Sequence, residues 1–296
     1  MKRRDFITLL GGAAVGSPLA TRAQQAGNSA TIGLLWPGDA PPASPRMESF
    51  RQGLRALGFV DGQNLTVEVR YAQRGPQQLP ELAAELIRLK VDVIFASGDL
   101  APKVAQQATD TIPIVAISDD ILGAGVIASL SRPGGNTTGL TILSPELSAK
   151  RLEVLRDMIP GLSRITALWD PTTGASQVTM TASAALSLNL KLQVLEVRRR
   201  EEVAAAVRAA RSSQADALNV FSSPILASLH REIIAFAAEY RLPAIYQWKE
   251  HVEAGGFVSY GPNLAAIWRQ SAIIVAKVLK VLSLLTYRSS NPQSSS

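Results

Sequence analysis

From Thr31 onward the chain alternates short apolar runs with amphipathic stretches, and this rhythm leaves few folds open. Thr31–Trp36 (TIGLLW) is short and almost continuously apolar, as a strand covered on both faces must be. Met47, Phe50, Leu54 and Leu57 then recur at helical spacing and stop at Gly58, a helix terminator. Leu65–Tyr71 reads as the next strand and Leu82, Leu86 and Leu89 as the next helical stripe. The strand Val91–Ala96, a helix near 100–108 and the strand Ile112–Ile117 follow. Such alternation predicts a parallel, doubly wound α/β sheet, because parallel neighbours need a crossover and a helix supplies it.

The rhythm then starts again. After the loop RPGGNTTG (132–139) and the short strand LTIL comes a helix over about 146–158. Beyond it lie strands at Ile165–Trp169, Leu192–Val197, Ala217–Phe221 and Pro243–Tyr246, separated by helices over 175–188, 201–211 and 225–239. The strand GGFVSYG (255–261) and a long helix from Pro262 to about Lys280 are expected to return to the first unit. The reading is two α/β lobes joined by a hinge, one of 30–143 with 257–280 and one of 144–256.

In open parallel sheets, ligands bind beyond the carboxyl ends of the strands, where loops and helix N-termini converge. That rule picks out Trp36, Ser97, Gly98, Asp99 and Asp119 in the first unit and Ser222, Ser223 and Tyr246 in the second. Hydroxyls suit a ligand carboxylate, Asp119 an ammonium, and the aromatic rings a flat or apolar part. Ser97, Ser222 and Asp99 also suit plain helix N-caps, and Trp36 and Tyr246 suit lids on a core. Only their coincidence at strand ends in both units favours a shared cleft.

Catalytic sets are missing from the inventory. The two histidines, His230 and His251, show no metal-ligand spacing, no G-x-S-x-G elbow occurs, and there is no cysteine for a thiolate, a disulfide or a lipid anchor. The reading is therefore no enzyme, no metal and no cofactor. Gly123–Ala128 (GAGVIA) matches a dinucleotide pattern with Glu146 downstream, but it does not follow the first strand, so a loop-to-helix transition is the simpler reading. The net charge of +6 does not point to nucleic acid: Lys2, Arg3, Arg4 and Arg22 against Asp5 put +3 of it in the first 23 residues, and Arg198–Arg200 is answered at once by Glu201 and Glu202.

Residues 1–23 have the layout of an export signal: a basic start, an apolar stretch from Phe6 to about Gly16, and small residues up to Ala23. Arg3-Arg4 also fits twin-arginine export, with the general secretory route as the alternative. A soluble periplasmic monomer is the expected product.

Five motifs in order, RRDFITLLGGAA…TRAQQ, FRQGLRALGFVDGQNLTVEVRYA, ASLSRPGGNTTGLT, KRLEVLRDMIPG and GGFVSYGPN, resemble the substrate-binding proteins of ABC transporters with the type I periplasmic-binding fold. The resemblance runs from the signal to about Lys280. It implies two lobes joined by three crossovers, a small solute trapped by hinge closure, and delivery to an ABC permease. Related branches are associated with aromatic amino acids. Sugar-responsive repressors share the fold, but an export signal stands here where they carry a DNA-binding module.

The tail Val281–Ser296 departs from the family's continuation. One permitted codon string for it, read with an extra G in front, spells Gly-Ala-Lys-Pro-Ala-Asp-Leu-Pro-Ile-Glu-Gln-Pro-Thr-Lys-Phe-Glu, the continuation the resemblance implies. We therefore expect 281–296 to be a frameshifted, non-native tail in which Leu282, Leu284 and Leu285 extend the helix by about a turn. A remnant that no longer binds is the alternative to a working binding protein, and an exported α/β enzyme a weaker one.

Overall fold

The computed structural model describes residues 29–38 and 45–290. The expected signal at 1–23 and the last residues of the tail, 291–296, lie outside the described residues. The first sheet contains β1 (Ala30–Trp36), β2 (Leu65–Tyr71), β3 (Val93–Ser97), β4 (Ile114–Ser118) and β5 (Thr137–Thr141) in the order β2-β1-β3-β4-β5, with every pair parallel. The second contains β6 (Arg164–Trp169), β7 (Lys191–Glu196), β8 (Ala217–Val220), β9 (Ala244–Tyr246) and β10 (Val258–Ser259) in the order β10-β9-β8-β6-β7, again parallel. Each lobe thus repeats one winding, with its second strand outside its first. The strand order reverses between β1 and β3, and again between β6 and β8.

Period-two patterning decides what each face carries. Ile32, Leu34 and Trp36 of β1 point to one side of the first sheet, into a core with Phe50 and Leu54 of α1 (Pro45–Arg55) and Trp268, Ala272 and Val275 of α10 (Leu264–Ser290). Leu35 points to the other side, where α2 (Leu79–Arg88) and α3 (Leu100–Ala108) bring Leu79, Ala83, Leu86 and Ala101. In the second lobe α4 (Ser144–Met158) and α5 (Ser176–Ser187) cover one face, with Leu152, Leu155 and Ala185. The other face takes α6 (Arg200–Ser212), α7 (Pro224–Ser228) and α8 (His230–Glu239), with Val203, Val207, Ile225 and Ile233. Close helix contact in the first lobe depends on Gly53: a Cβ there would stand 2.7 Å from Ala272 Cβ of α10.

Several elements differ from the expectation. The single helix over 225–239 is two helices, broken at Leu229. There the Ser228 hydroxyl donates to Ile225 O, which also accepts from Leu229 N, and the His230 ring bonds Ala227 O, so side chains compete with the ladder at the break. The strand expected to return at 257 does not join the first sheet. Val258 and Ser259 pair with Ile245 and Tyr246 of β9, and the chain crosses back only after Tyr260. Among the described residues two segments cross between the lobes, one from β5 into α4 and one from β10 into α10. The last helix runs on to Ser290, well beyond one turn past Lys280, with Val281, Leu284 and Leu285 exposed. Gly123–Ala128 forms successive turns and opens no helix, which removes the anion-binding geometry a dinucleotide pattern requires.

Candidate functional site

The carboxyl ends of the two sheets face each other across a cleft, and the residues at both order reversals meet in it. Trp36 ends β1, Ser97 ends β3, Asp170 follows β6, and Ser222 and Ser223 follow β8. Gly98 of the first lobe is in contact range of Pro224 of the second: with φ at +83°, its Cβ would fall 2.8 Å from Pro224 Cγ. The lobes are therefore closed on each other.

Three buried carboxylates lie along the seam. Asp99 occupies the N-cap position of α3, yet it makes no cap hydrogen bond to that helix. Its Oδ1 instead accepts from Ser118 Oγ at 2.5 Å, Asp119 N at 2.9 Å and Asp120 N at 3.3 Å, fastening α3 to the end of β4. Its Oδ2 is buried with no partner among the described residues. Burial first, and the neighbouring Asp119 second, push the Asp99 carboxyl up to about 8. Asp119 sits differently. Its Oδ1 accepts from Ser144 Oγ at 2.8 Å at the start of α4, and the Ser222 hydroxyl and Arg151 guanidinium also favour its charged form against burial, which raises it. Asp170 accepts from Thr172 N and Thr172 Oγ1, capping the short turn that follows β6.

Asp119 is thus occupied by the other lobe. Arg151 of α4 is 1 % exposed and donates to Asn219 Oδ1, Tyr260 O and Ser148 Oγ, at 3.3, 3.2 and 2.7 Å. Burial lowers it to about 9, while Asp119 opposes that shift. The Asp119 carboxylate and the Ser144 and Ser222 hydroxyls form a latch across the hinge, with the Arg151 charge beyond ion-pair distance. Among the described residues Asp99 Oδ2 is thus buried without a partner, whereas Asp119, which the sequence offered for an ammonium, already accepts from Ser144 Oγ.

Behind this, toward the hinge, lies a chamber of about 20 Å³ lined by Trp36, Arg46, Ser97, Asp119, Ser222 and Trp248, among others. Gly98 and Ser223 also line it, so seven of the eight residues singled out from sequence cluster here or, for Asp99, directly beside it. Tyr246 does not. It is 1 % exposed in the core of the second lobe, edge-on to His251 at 5.5 Å, because it is the last residue of β9 and faces α8. Trp248, two residues on, is the aromatic that reaches the cleft. It leaves the second sheet and packs into the first lobe's core with Trp36 and Trp268.

Trp36 is held there by an aromatic stack. Trp268 lies 5.8 Å from it and stands edge-on to Phe95 at 5.3 Å, and Phe95 in turn stacks on Phe50 at 4.6 Å. The indole N–H groups of Trp36 and Trp248 are both buried without an acceptor among the described residues. Arg46, in the first turn of α1, was not legible as a site residue: it precedes the apolar stripe and looks like any surface arginine at a helix start.

A second cavity, of about 290 Å³, opens between the lobes, past the carboxyl ends of β1 and β2 on one side and of β7 and β8 on the other. Arg74, Arg198, Arg199 and Arg200 line it, but the last three pair with Glu196, Glu202 and Glu232. Their charge is largely spent on the protein's own carboxylates. Among the described residues no group of three His, Cys, Asp or Glu side chains is placed to hold a metal ion, and no helix is long and apolar enough to cross a membrane.

The chain is similar to proteins with this architecture. A curated relative, the tyrosine-binding protein of Clostridioides difficile, is 24% identical over 254 residues, covering 84% of this chain and 72% of that one. A conserved domain protein of Vibrio cholerae superposes with a TM-score of 0.77 at 25% identity, covering 86% of each chain. A Streptococcus pneumoniae ABC domain in complex with L-Trp gives 0.77 at 21% identity, covering 86% of this chain and 85% of that one, a likeness of fold. The family model described as ABC transporter substrate binding protein matches residues 39–284. On that match over most of its length, the chain belongs to the ABC transporter substrate-binding protein family.

Proposed function

We propose that this protein is the extracytoplasmic binding component of an ABC importer and that it captures an amino acid between its two lobes, performing no chemistry on it. Exported through its N-terminal signal, it would hand the solute to a membrane permease. The observation that carries the amino-acid reading is Asp99. A carboxyl group buried at the order reversal, with one oxygen triply hydrogen-bonded and the other bare, is built to receive a donor that the protein does not supply. An ammonium supplies both the hydrogen bond and the charge that would draw Asp99 back to its ionised form. The tyrosine-binding protein and the ABC domain in complex with L-Trp agree with a zwitterionic solute.

Closure is part of the reading. The chamber of about 20 Å³ holds roughly one water, so a solute enters only when the lobes part. The Asp119 latch then reforms over it. A thermal-shift screen of the L-amino acids against amines, sugars and nucleotides tests the proposal. An upward shift with one or a few amino acids is expected. A shift with nucleotides or sugars alone contradicts it.

A further inference from the structure

Among the described residues the Arg46 guanidinium, which lines the hinge-side chamber, has neither a hydrogen bond nor an ion pair. Two indole N–H groups, Trp36 Nε1 and Trp248 Nε1, belong to the same chamber and are buried without acceptors. Three donor groups thus line a space whose acceptors, the Asp119 carboxylate and the Ser97, Ser222 and Ser223 hydroxyls, satisfy none of them, in a protein where buried donors normally find one. Two of them come from the first lobe, through β1 and α1, and one from the second, just after β9.

We propose that this chamber is a carboxylate anchor: Arg46 and the indole N–H groups of Trp36 and Trp248 hold the acid end of the solute, so the cleft selects ligands that terminate in a carboxylate. The proposal rests on the solute-binding reading above and deepens it, since Asp99 then takes the amine and this chamber the acid. The chemistry suits the class. A guanidinium presents a planar fork that matches a carboxylate, and indole is a donor only, so nothing on these three groups repels the anion.

Two acidic groups stand nearby, and one of them, Glu250, has Oε2 buried without a partner among the described residues. Asp119 lines the chamber, but its charge is met by Ser144, Ser222 and Arg151. Glu250, beyond ion-pair distance, favours the charged form of Arg46 against the burial that lowers it to about 10. A carboxylate held there would also lie against Ser222, Ser223 and Pro224 of the second lobe, and so tie the lobes together. The anchor thereby couples recognition to closure.

The test uses the full-length protein in two arms. In the first, titration calorimetry compares L-tyrosine and L-tryptophan with their decarboxylated amines, tyramine and tryptamine. The wild type is expected to bind the amino acid at least tenfold more tightly than the amine. Arg46→Ala is expected to weaken the amino acid at least tenfold and leave the amine within twofold, while Trp248→Phe, which keeps the ring and removes the donor, costs about fivefold. Arg46→Lys, which preserves charge and bulk, serves should Arg46→Ala fold poorly, and is expected to recover only part of the affinity. In the second arm, sodium acetate is compared with sodium chloride at equal ionic strength. Acetate is expected to raise the melting temperature of the wild type and not of the Arg46 variants. Amino-acid binding that every variant leaves unchanged overturns the anchor while the solute reading stands. An Arg46-dependent acetate response without amino-acid binding supports the anchor and removes the amino-acid reading. No Arg46-dependent response in either arm overturns the anchor.

Discussion

Replacing Asp99 with Asn probes the cleft with little change of shape. The amide oxygen can keep the place of Oδ1 and its three hydrogen bonds from Ser118, Asp119 and Asp120, and the amide nitrogen falls where Oδ2 now stands bare. What is lost is the carboxylate charge. A hydrogen bond to a charged partner contributes about 1.5–3 kcal/mol net, so an amine-bearing solute should bind roughly ten- to 150-fold more weakly. Stability should move the other way with pH. Because the folded carboxyl is raised to about 8 from an ordinary 3.8, its contribution is fully present below about 3.8 and is lost as pH rises through about 8. Asn removes that slope. Asp99→Asn should melt near the wild type at pH 5 and above it at pH 8.5. Calorimetry and circular-dichroism melts across pH 5 to 8.5 read both effects. Unchanged affinity for the amino acid, together with a melting difference that does not vary with pH, would refute the reasoning.

Gly53→Ala should destabilise the first lobe by about 1–3 kcal/mol in urea unfolding, because the new Cβ meets Ala272 Cβ at 2.7 Å, and should leave solute affinity nearly unchanged. Gly98→Ala strains a left-handed residue and drives a methyl group into Pro224 across the cleft; at least tenfold weaker binding with an expanded, more open particle in solution scattering is expected, and an unchanged scattering profile would count against the closed seam. Binding an amino acid near pH 7 should release close to one proton, as the ammonium ionises Asp99, so the calorimetric heat should depend on the buffer's ionisation enthalpy. His251 is buried against His230 at 5.1 Å, and burial holds it well below its ordinary value. Its contribution is present above about pH 6.5 and lost as pH falls through the lower folded value, so His251→Phe should flatten the acid limb of the stability curve.

The winding of both lobes was legible because strand and helix periods differ and because each buried strand is a continuous apolar run. Rim residues were legible for the same reason, since the end of an apolar run marks the end of a strand. What the rim side chains do was less so. Asp99 and Asp119 are alike in sequence, and only packing shows that the second lobe's hydroxyls engage Asp119 while one oxygen of Asp99 stays bare. Tyr246 and Trp248 are separated by one residue, so which of them reaches the cleft depends on where β9 stops. Arg46 could not be found, because nothing in its neighbours' periodicity marks the chamber it lines. The two-residue β10 was assigned to the wrong sheet for a related reason: a strand that short carries no pattern of its own, and its pairing with β9 is set by the chain's position after α9 (Lys249–Glu253).

A crystal structure of the protein with the amino acid that shifts its melting temperature most would test the central claim directly. The solute is expected between the closed lobes, its ammonium on Asp99 Oδ2. A solute seated instead beside Arg198–Arg200 with its ammonium away from Asp99, or on the surface of a single lobe, would contradict it.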